Sequence, residues 1–400
     1  MRERMSGFSA IALLSALSLS TFAYVTTENL PIGLLPLISR ELHSTTAAVG
    51  LLVTTYGLVV VVLSIPLTLV TQRIDRRLLI CGLMAVYVVG NAVSSFAESY
   101  GTLMAARIAV AVSQSLFWAV IAPATAGLFV PALRPRALSI VYAGSSVAAL
   151  AGVPLGTWLG QQTSWRVTFV VLSGLGVAIL ATVAVLLPAS PPGSSDADRG
   201  SAPDAGRYWT IVVYTALAVI GAFTSFTYIS PFFTDVSGFG EGMVGPLLFV
   251  RGFAGLIGVF VVASLVARNG WLTMVGLVAA QAVALLGQWA LGDNQIAVIV
   301  SICVSGFALA GVSTALATRA LEVAPSSSAL ANAGTSTAFN AGITGGAFIG
   351  SLLLSPFGVR STALVGALFS LLALVAVLAE PRLSSRRAAA APALEEPAPR

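Results

Sequence analysis

The chain has 400 residues, 57% of them hydrophobic and 9% charged, with a formal net charge of +5 and a mean hydropathy of +0.95. A water-soluble domain carries about 25% charged residues, so most of this surface does not face water, and the composition implies an all-α membrane protein. All 20 basic residues are arginine. Without lysine there is neither a P-loop ATPase site nor a Schiff base, and one histidine (His43) with two cysteines (Cys81, Cys303) makes no usual zinc site. The sequence thus calls for no enzyme chemistry, no metal, no cofactor and no nucleic-acid partner.

Apolar runs of about 20 residues recur along the chain, long enough to cross a bilayer as helices, where the backbone must be satisfied within the segment. They predict twelve helices at roughly 8–38, 46–71, 78–97, 102–128, 136–160, 167–187, 209–234, 243–267, 271–291, 296–318, 329–354 and 361–380. The first opens with Met1–Arg4 and lacks a small-residue cleavage site, so it reads as a retained span, not a signal peptide.

That first run, TFAYVTTENLPIGLLPLI (21–38), contains Glu28 with no basic residue beside it. Ser20, Thr21, Tyr24, Thr27 and Glu28 share an arc of about 120° on a helix. Such an arc faces protein or a water-filled cavity, not lipid. Two readings stand: Glu28 is an intramembrane functional acid, or the helix ends near Thr27, ahead of Pro31, and leaves it at the interface. The apolar continuation LPIGLLPLI favours the first.

After the second helix, TLVTQRIDRR (68–77) supplies Arg73, Asp75, Arg76 and Arg77. These form either a cytoplasmic gate or a topology signal alone. On the fourth helix Arg107 shares a face with Ala111, Gln114 and Trp118. A buried arginine needs a partner or water, and Glu28 is the deep carboxylate available. Desolvation and a neighbouring cation act oppositely on a carboxyl, so such a pair can exchange a proton near neutral pH. The other reading of Arg107 is a static clamp.

The fifth helix carries Gly144, Ala148, Gly152, Gly156 and Gly160 at every fourth position, with Pro154 inside the ladder. Between the sixth and seventh helices, SPPGSSDADRGSAPDAGR (190–207) is too polar to bury a core and is expected to be a disordered linker. Past it, Thr224, Ser225 and Tyr228 share a face of the seventh helix, and Arg251 lies in the outer third of the eighth. Arg251 either snorkels to the interface or meets a polar or anionic substrate. The eleventh helix repeats the ladder with Gly334, Ala338, Gly342, Gly346 and Gly350, and sets Asn332, Ser336 and Asn340 on the roughly opposite face. Serine and threonine hydroxyls there have an alternative partner in their own helix; Asn340 is the stronger cavity candidate. The tail from Pro381 reads like the linker.

One small-residue ladder is generic helix packing. The same ladder 190 residues later marks two structural repeats, as in transporters that rock one bundle against the other. The expected organisation is an N-terminal six-helix bundle (1–187), a cytoplasmic linker (188–208), a C-terminal six-helix bundle (209–380) and a disordered tail (381–400). With both termini inside, fifteen arginines fall on the cytoplasmic side and three, Arg40, Arg166 and Arg360, outside.

TTENLPIGLLP (26–36), GVPLGTWLGQ (152–161) with Trp165–Arg166, and AFNAGITGGAFIG (338–350) resemble the major facilitator superfamily, in its twelve-helix drug:proton antiporter branch and nearest to the bacterial sugar-efflux and chloramphenicol-efflux permeases. The chain departs from the family in the loop after the second helix, where Thr68 and Gln72 occupy the usual glycine and aspartate positions, and Gln114–Ser115 stands where relatives show His-Gly. The resemblance implies a monomeric multi-pass protein of the cytoplasmic membrane that exports a small drug-like or sugar-like solute against protons. Glu28 and Arg107 would couple to the proton, and Tyr24, Gln114, Trp118, Tyr228, Asn340 and Arg251 would line the substrate cavity. An uptake permease, and less so a receptor or channel, are the alternatives.

Overall fold

The computed structural model describes residues 7–71, 74–129, 134–188, 204–323 and 328–390. Its first six spans are α1 (Gly7–Glu41), α2 (Thr46–Thr71), α3 (Arg76–Ser95), α4 (Tyr100–Leu128), a composite α5 and α6 (Trp165–Leu186). In α5 the segments Arg134–Val147 and Val153–Gln162 are joined by a π-helical turn, Ala148–Gly152. The next six begin with α7 (Ala205–Phe226), prolonged by Ile229–Pro231 and a π turn, Phe232–Val236. The run Val244–Ala290 is two spans, α8 and α9, that meet at Asn269 (φ −156°, ψ 93°). Then come α10 (Gln295–Glu322), α11 (Ser328–Phe357) and α12 (Arg360–Ala390). Twelve helices of the described chain are long and apolar enough to cross a membrane.

Two expected boundaries are corrected. Asp204 caps α7 through Gly206 N (2.9 Å) and Arg207 N (3.1 Å), so the helix begins before residue 209. At the other end α12 runs on to Ala390, past Pro381. Residues 189–203 and 391–400, with Arg73, lie outside the described residues. Polar caps start other helices too: Asp75 on α3, Ser99 on α4, Ser164 on α6 and Asn294 on α10, each worth about 1 kcal/mol.

The two glycine ladders do equivalent work. On α5, side chains at Gly144, Gly152, Gly156 and Gly160 would collide with Ser18 and Thr21, Thr26 and Phe22, Leu30, and Leu34 of α1. On α11, Gly342, Gly346 and Gly350 meet Val219, Ile220 and Thr224, and Tyr228 of α7 and its extension, while Gly334 meets Tyr208. The pairs α1/α5 and α7/α11 thus correspond across the repeat. So do Arg166 and Arg360, each opening the last helix of its half. Arg166 bonds Glu41 and the Ala97 carbonyl (2.9 Å); Arg360 bonds Asp293 (2.9 Å) and the Trp289 carbonyl (2.8 Å).

The halves meet along two seams, α2 with α11 and α5 with α8. Thr344 occupies the space over Gly57, and a Cβ on Gly252 would lie 2.6 Å from the Ala149 carbonyl oxygen. Arg40 pairs with Glu241 (2.6 Å), and Gln161 donates to the Glu241 carbonyl (2.6 Å). An apolar cluster containing Ile32, Val53 and Val153 from the first half and Phe223, Phe232, Leu248 and Ile343 from the second seals the same level. Gly57 is eleven residues into α2, about 16 Å from its start. These contacts gather on the side of the molecule that carries Arg40, here the Arg40 face; the opposite side is the Arg319 face.

Prolines inside the spans leave a recurrent mark. A proline lacks the N–H that would bond the carbonyl four residues before it. For Pro31 that carbonyl belongs to Thr27, and Arg107 Nη1 donates to it. For Pro36 it belongs to Ile32, which takes the Ser230 hydroxyl from the other half (2.6 Å). For Pro381 it belongs to Val377, which takes the Trp271 indole N–H (2.9 Å). Each freed oxygen in these three cases becomes a docking point for a donor from another element.

Candidate functional site

Glu28 lies 21 residues into α1 and 13 from its end, so the helix does not stop at Thr27. The apolar run continues helical through Pro31 because Arg107 of α4 takes over the bond that the proline cannot make. Arg107 also donates through Nη2 to the Glu28 carbonyl (3.0 Å), and its guanidinium lies 4.5 Å from the centroid of the Tyr56 ring. It is 1% exposed, so these contacts stand in for water at both Nη atoms, while Nε has no hydrogen-bond partner among the described residues.

The pairing expected between the two side chains therefore takes another form. Arg107 holds the main chain of residues 27 and 28, while the Glu28 carboxylate turns to Gln114, whose Nε2 donates to Oε2 (2.8 Å). Gln114 Oε1 in turn accepts from the Tyr56 hydroxyl (2.6 Å). The second carboxylate oxygen accepts no hydrogen bond among the described residues, and Glu28 keeps 8% of its surface open. This is a group with one oxygen held and one available, flanked by a cation that does not neutralise it through direct contact.

Other expected site residues separate. Tyr24 is corrected: it is fully buried within the first bundle, its hydroxyl 3.1 Å from the Leu83 carbonyl and 3.0 Å from Ser113 Oγ, so it faces α3 and α4. Tyr228 is corrected as well. Its hydroxyl donates to Ala347 O (3.0 Å) and its ring fills the space over Gly50, which makes it part of the seal. Trp118, one turn from Gln114, is half-buried and stacked on Tyr142 (6.1 Å, 5° between planes). Asn340 donates to Ser336 O of its own helix (2.9 Å), and Arg251 lies over Phe226. Of the gate residues, Asp75 caps α3 and Arg77 bonds the Ala184 carbonyl of α6, both within the first bundle.

Two features escaped the sequence reading. Tyr56 stands in an apolar run that offers no sign of its partner Gln114, 58 residues away. Glu380, at the end of the last span, is 1% exposed and bonded by Arg319 and by Arg207 (3.3 Å), a second buried acid.

The sequence model of the Major Facilitator Superfamily matches residues 17–331. The chain belongs to that superfamily. The transporter is 31% identical over 363 residues to a probable sugar efflux transporter of Helicobacter pylori (strain J99), a match covering 89% of this chain and 92% of that protein. It is 32% identical over 367 residues to the uncharacterized MFS-type transporter YtbD of Bacillus subtilis (strain 168), covering 90% and 93%. Its fold is similar to that of a bacterial homologue of the human lysosomal transporter Spinster in an inward-facing, unoccupied conformation, with a TM-score of 0.72 at 16% identity, over 95% of this chain and 98% of the other. The human organic anion transporter MFSD10 shares the fold at a TM-score of 0.64 and 13% identity, over 92% and 98%. The protein is a transporter of twelve membrane-spanning helices, not an enzyme.

Proposed function

We propose that this transporter exports a small drug-like or sugar-like solute in exchange for protons. It works as a monomer in the cytoplasmic membrane, with the Arg319 face and both termini inside. The observation that carries the reading is the Glu28 carboxylate at mid-span, held by Gln114 through one oxygen and open at the other. A proton arriving at that oxygen removes the negative charge beside Arg107 and Gln114 and so changes what the space between the bundles binds. Joining of the bundles on the Arg40 face suits a state that loads from the cytoplasm. The arginine asymmetry supports the orientation, and the name of the Helicobacter relatives supports export and a sugar-like solute.

The bundles rock about the two seams, and each 100 mV of membrane potential contributes about 2.3 kcal/mol per charge moved. An uptake permease would use the same parts in the opposite direction. Everted vesicles with an imposed pH gradient separate the two. For an exporter, adding substrate releases protons from the vesicle interior, and Glu28→Gln abolishes the release while leaving substrate binding within about tenfold. Equal proton release from Glu28→Gln refutes the role given to Glu28.

A further inference from the structure

Arg251 is a cation inside a span that the exchange mechanism does not use. Among the other arginines of the described spans, Arg107 is anchored on two carbonyls beside Glu28, Arg319 and Arg207 share Glu380, and Arg77 reaches Ala184 O. Arg251 has no acid and no hydrogen-bond acceptor among the described residues; its one named partner is the face of Phe226, 3.8 Å from the guanidinium carbon. It is half-buried.

The guanidinium does not escape to the membrane surface. Arg251 stands seven residues into α8, about 10 Å from its start. Phe226 lies at a similar depth, ten residues before the end of the α7 extension at Val236. Stacked on that ring, the charge stays inside the span. The stem has a prepared place, because a Cβ at Gly306 of α10 would come 2.9 Å from Arg251 Cγ. Phe226 itself packs against the apolar cluster that joins the halves through Ile32, Val53 and Val153. The cation therefore borders the meeting place of the two bundles, on the second-half side.

We infer that the transported solute carries a carboxylate, and that Arg251 binds it. Five N–H donors in a planar fork match a carboxylate bidentately, and the aromatic face beneath holds the fork in position. One guanidinium without an acid calls for one carboxylate. The substrate class is a small polar monocarboxylate, such as a sugar acid, in place of a neutral sugar or a cationic drug. This rests on the reading of the inter-bundle space as a solute path, but not on proton exchange.

The test is equilibrium binding to purified full-length transporter in detergent at pH 7, with no gradient, using matched pairs that differ in the carboxylate: glucuronate and glucose, galacturonate and galactose, benzoate and benzyl alcohol. At least one acid binds about tenfold or more tighter than its neutral partner, the ratio expected of a charge-assisted pair. Arg251→Gln and Arg251→Met both bring that ratio to about one, so one folded variant suffices, and the melting temperature without ligand identifies it. In Glu28→Gln the preference persists, which keeps this outcome separate from the fate of the proton mechanism. Failure of every acid to outbind its neutral partner, or a preference that survives the loss of Arg251, overturns the assignment.

Discussion

Arg107 and Pro31 are a single device at the level of residues. The proline removes a donor from α1, and the arginine supplies one from α4, so each makes sense only beside the other. Arg107→Ala leaves the Thr27 carbonyl buried without a donor, a cost of about 1–3 kcal/mol. Pro31→Ala restores the helical N–H and should relieve much of that cost. Melting temperatures of the two single variants and the double variant in detergent form a cycle, with an expected coupling of about 1 kcal/mol or more. Additive effects would mean that Arg107 serves another partner. The carboxylate at position 28 was legible in the sequence because a lone acid in an apolar run must be functional or misplaced. Its bond to Gln114 was not, since nothing local tells which of several polar groups on α4 a side chain will choose.

Among elements, the ladders carry the packing. A Cβ at Gly346 would stand 2.6 Å from the Ile220 carbonyl oxygen and 2.8 Å from the Thr224 amide, both main-chain atoms that cannot swing aside. Gly346→Ala should destabilise by about 1–3 kcal/mol, lowering the melting temperature in detergent. Gly276→Ala, with nothing within 4 Å, should stay near the parent or gain from helix propensity. Equal melting of the two variants would refute the close approach. The ladders were legible because small residues four apart leave a flat stripe whatever the surroundings. The helices were legible because lipid admits no other backbone solution. Their ends were less so. Pro381 reads as a stop only if its lost bond goes unreplaced, and Trp271, 106 residues before Val377 in sequence, replaces it on the freed Val377 oxygen. The π turn of α5 gave no sign either; its counterpart ladder on α11 runs on as plain helix.

For the whole molecule, the closed Arg40 face is held by apolar packing together with a few polar ties. The Arg40–Glu241 pair is more than half exposed on both sides, so its share is modest, up to about 1 kcal/mol. Arg40→Glu should therefore shift the balance between conformers up to about fivefold, and Arg40→Glu with Glu241→Arg should restore it. A cysteine at Ser230, in a background with Cys81 and Cys303 changed to serine, reports the shift as faster labelling by an impermeant maleimide. Unchanged labelling in the single variant would mean that the apolar cluster alone sets the closure.

Ser230 also bears on how that face parts. Its hydroxyl rests on Ile32 O at 2.6 Å, with Gly33 O next along the chain at 3.4 Å. A tie to one particular side chain must be broken outright before another can form. A hydroxyl on a row of peptide oxygens can slide, weakening at one as it strengthens at the next. Separation at this point is then a glide with friction, without a single tooth to clear, and its rate should depend on the slope of the two helices more than on the identity of any residue along them.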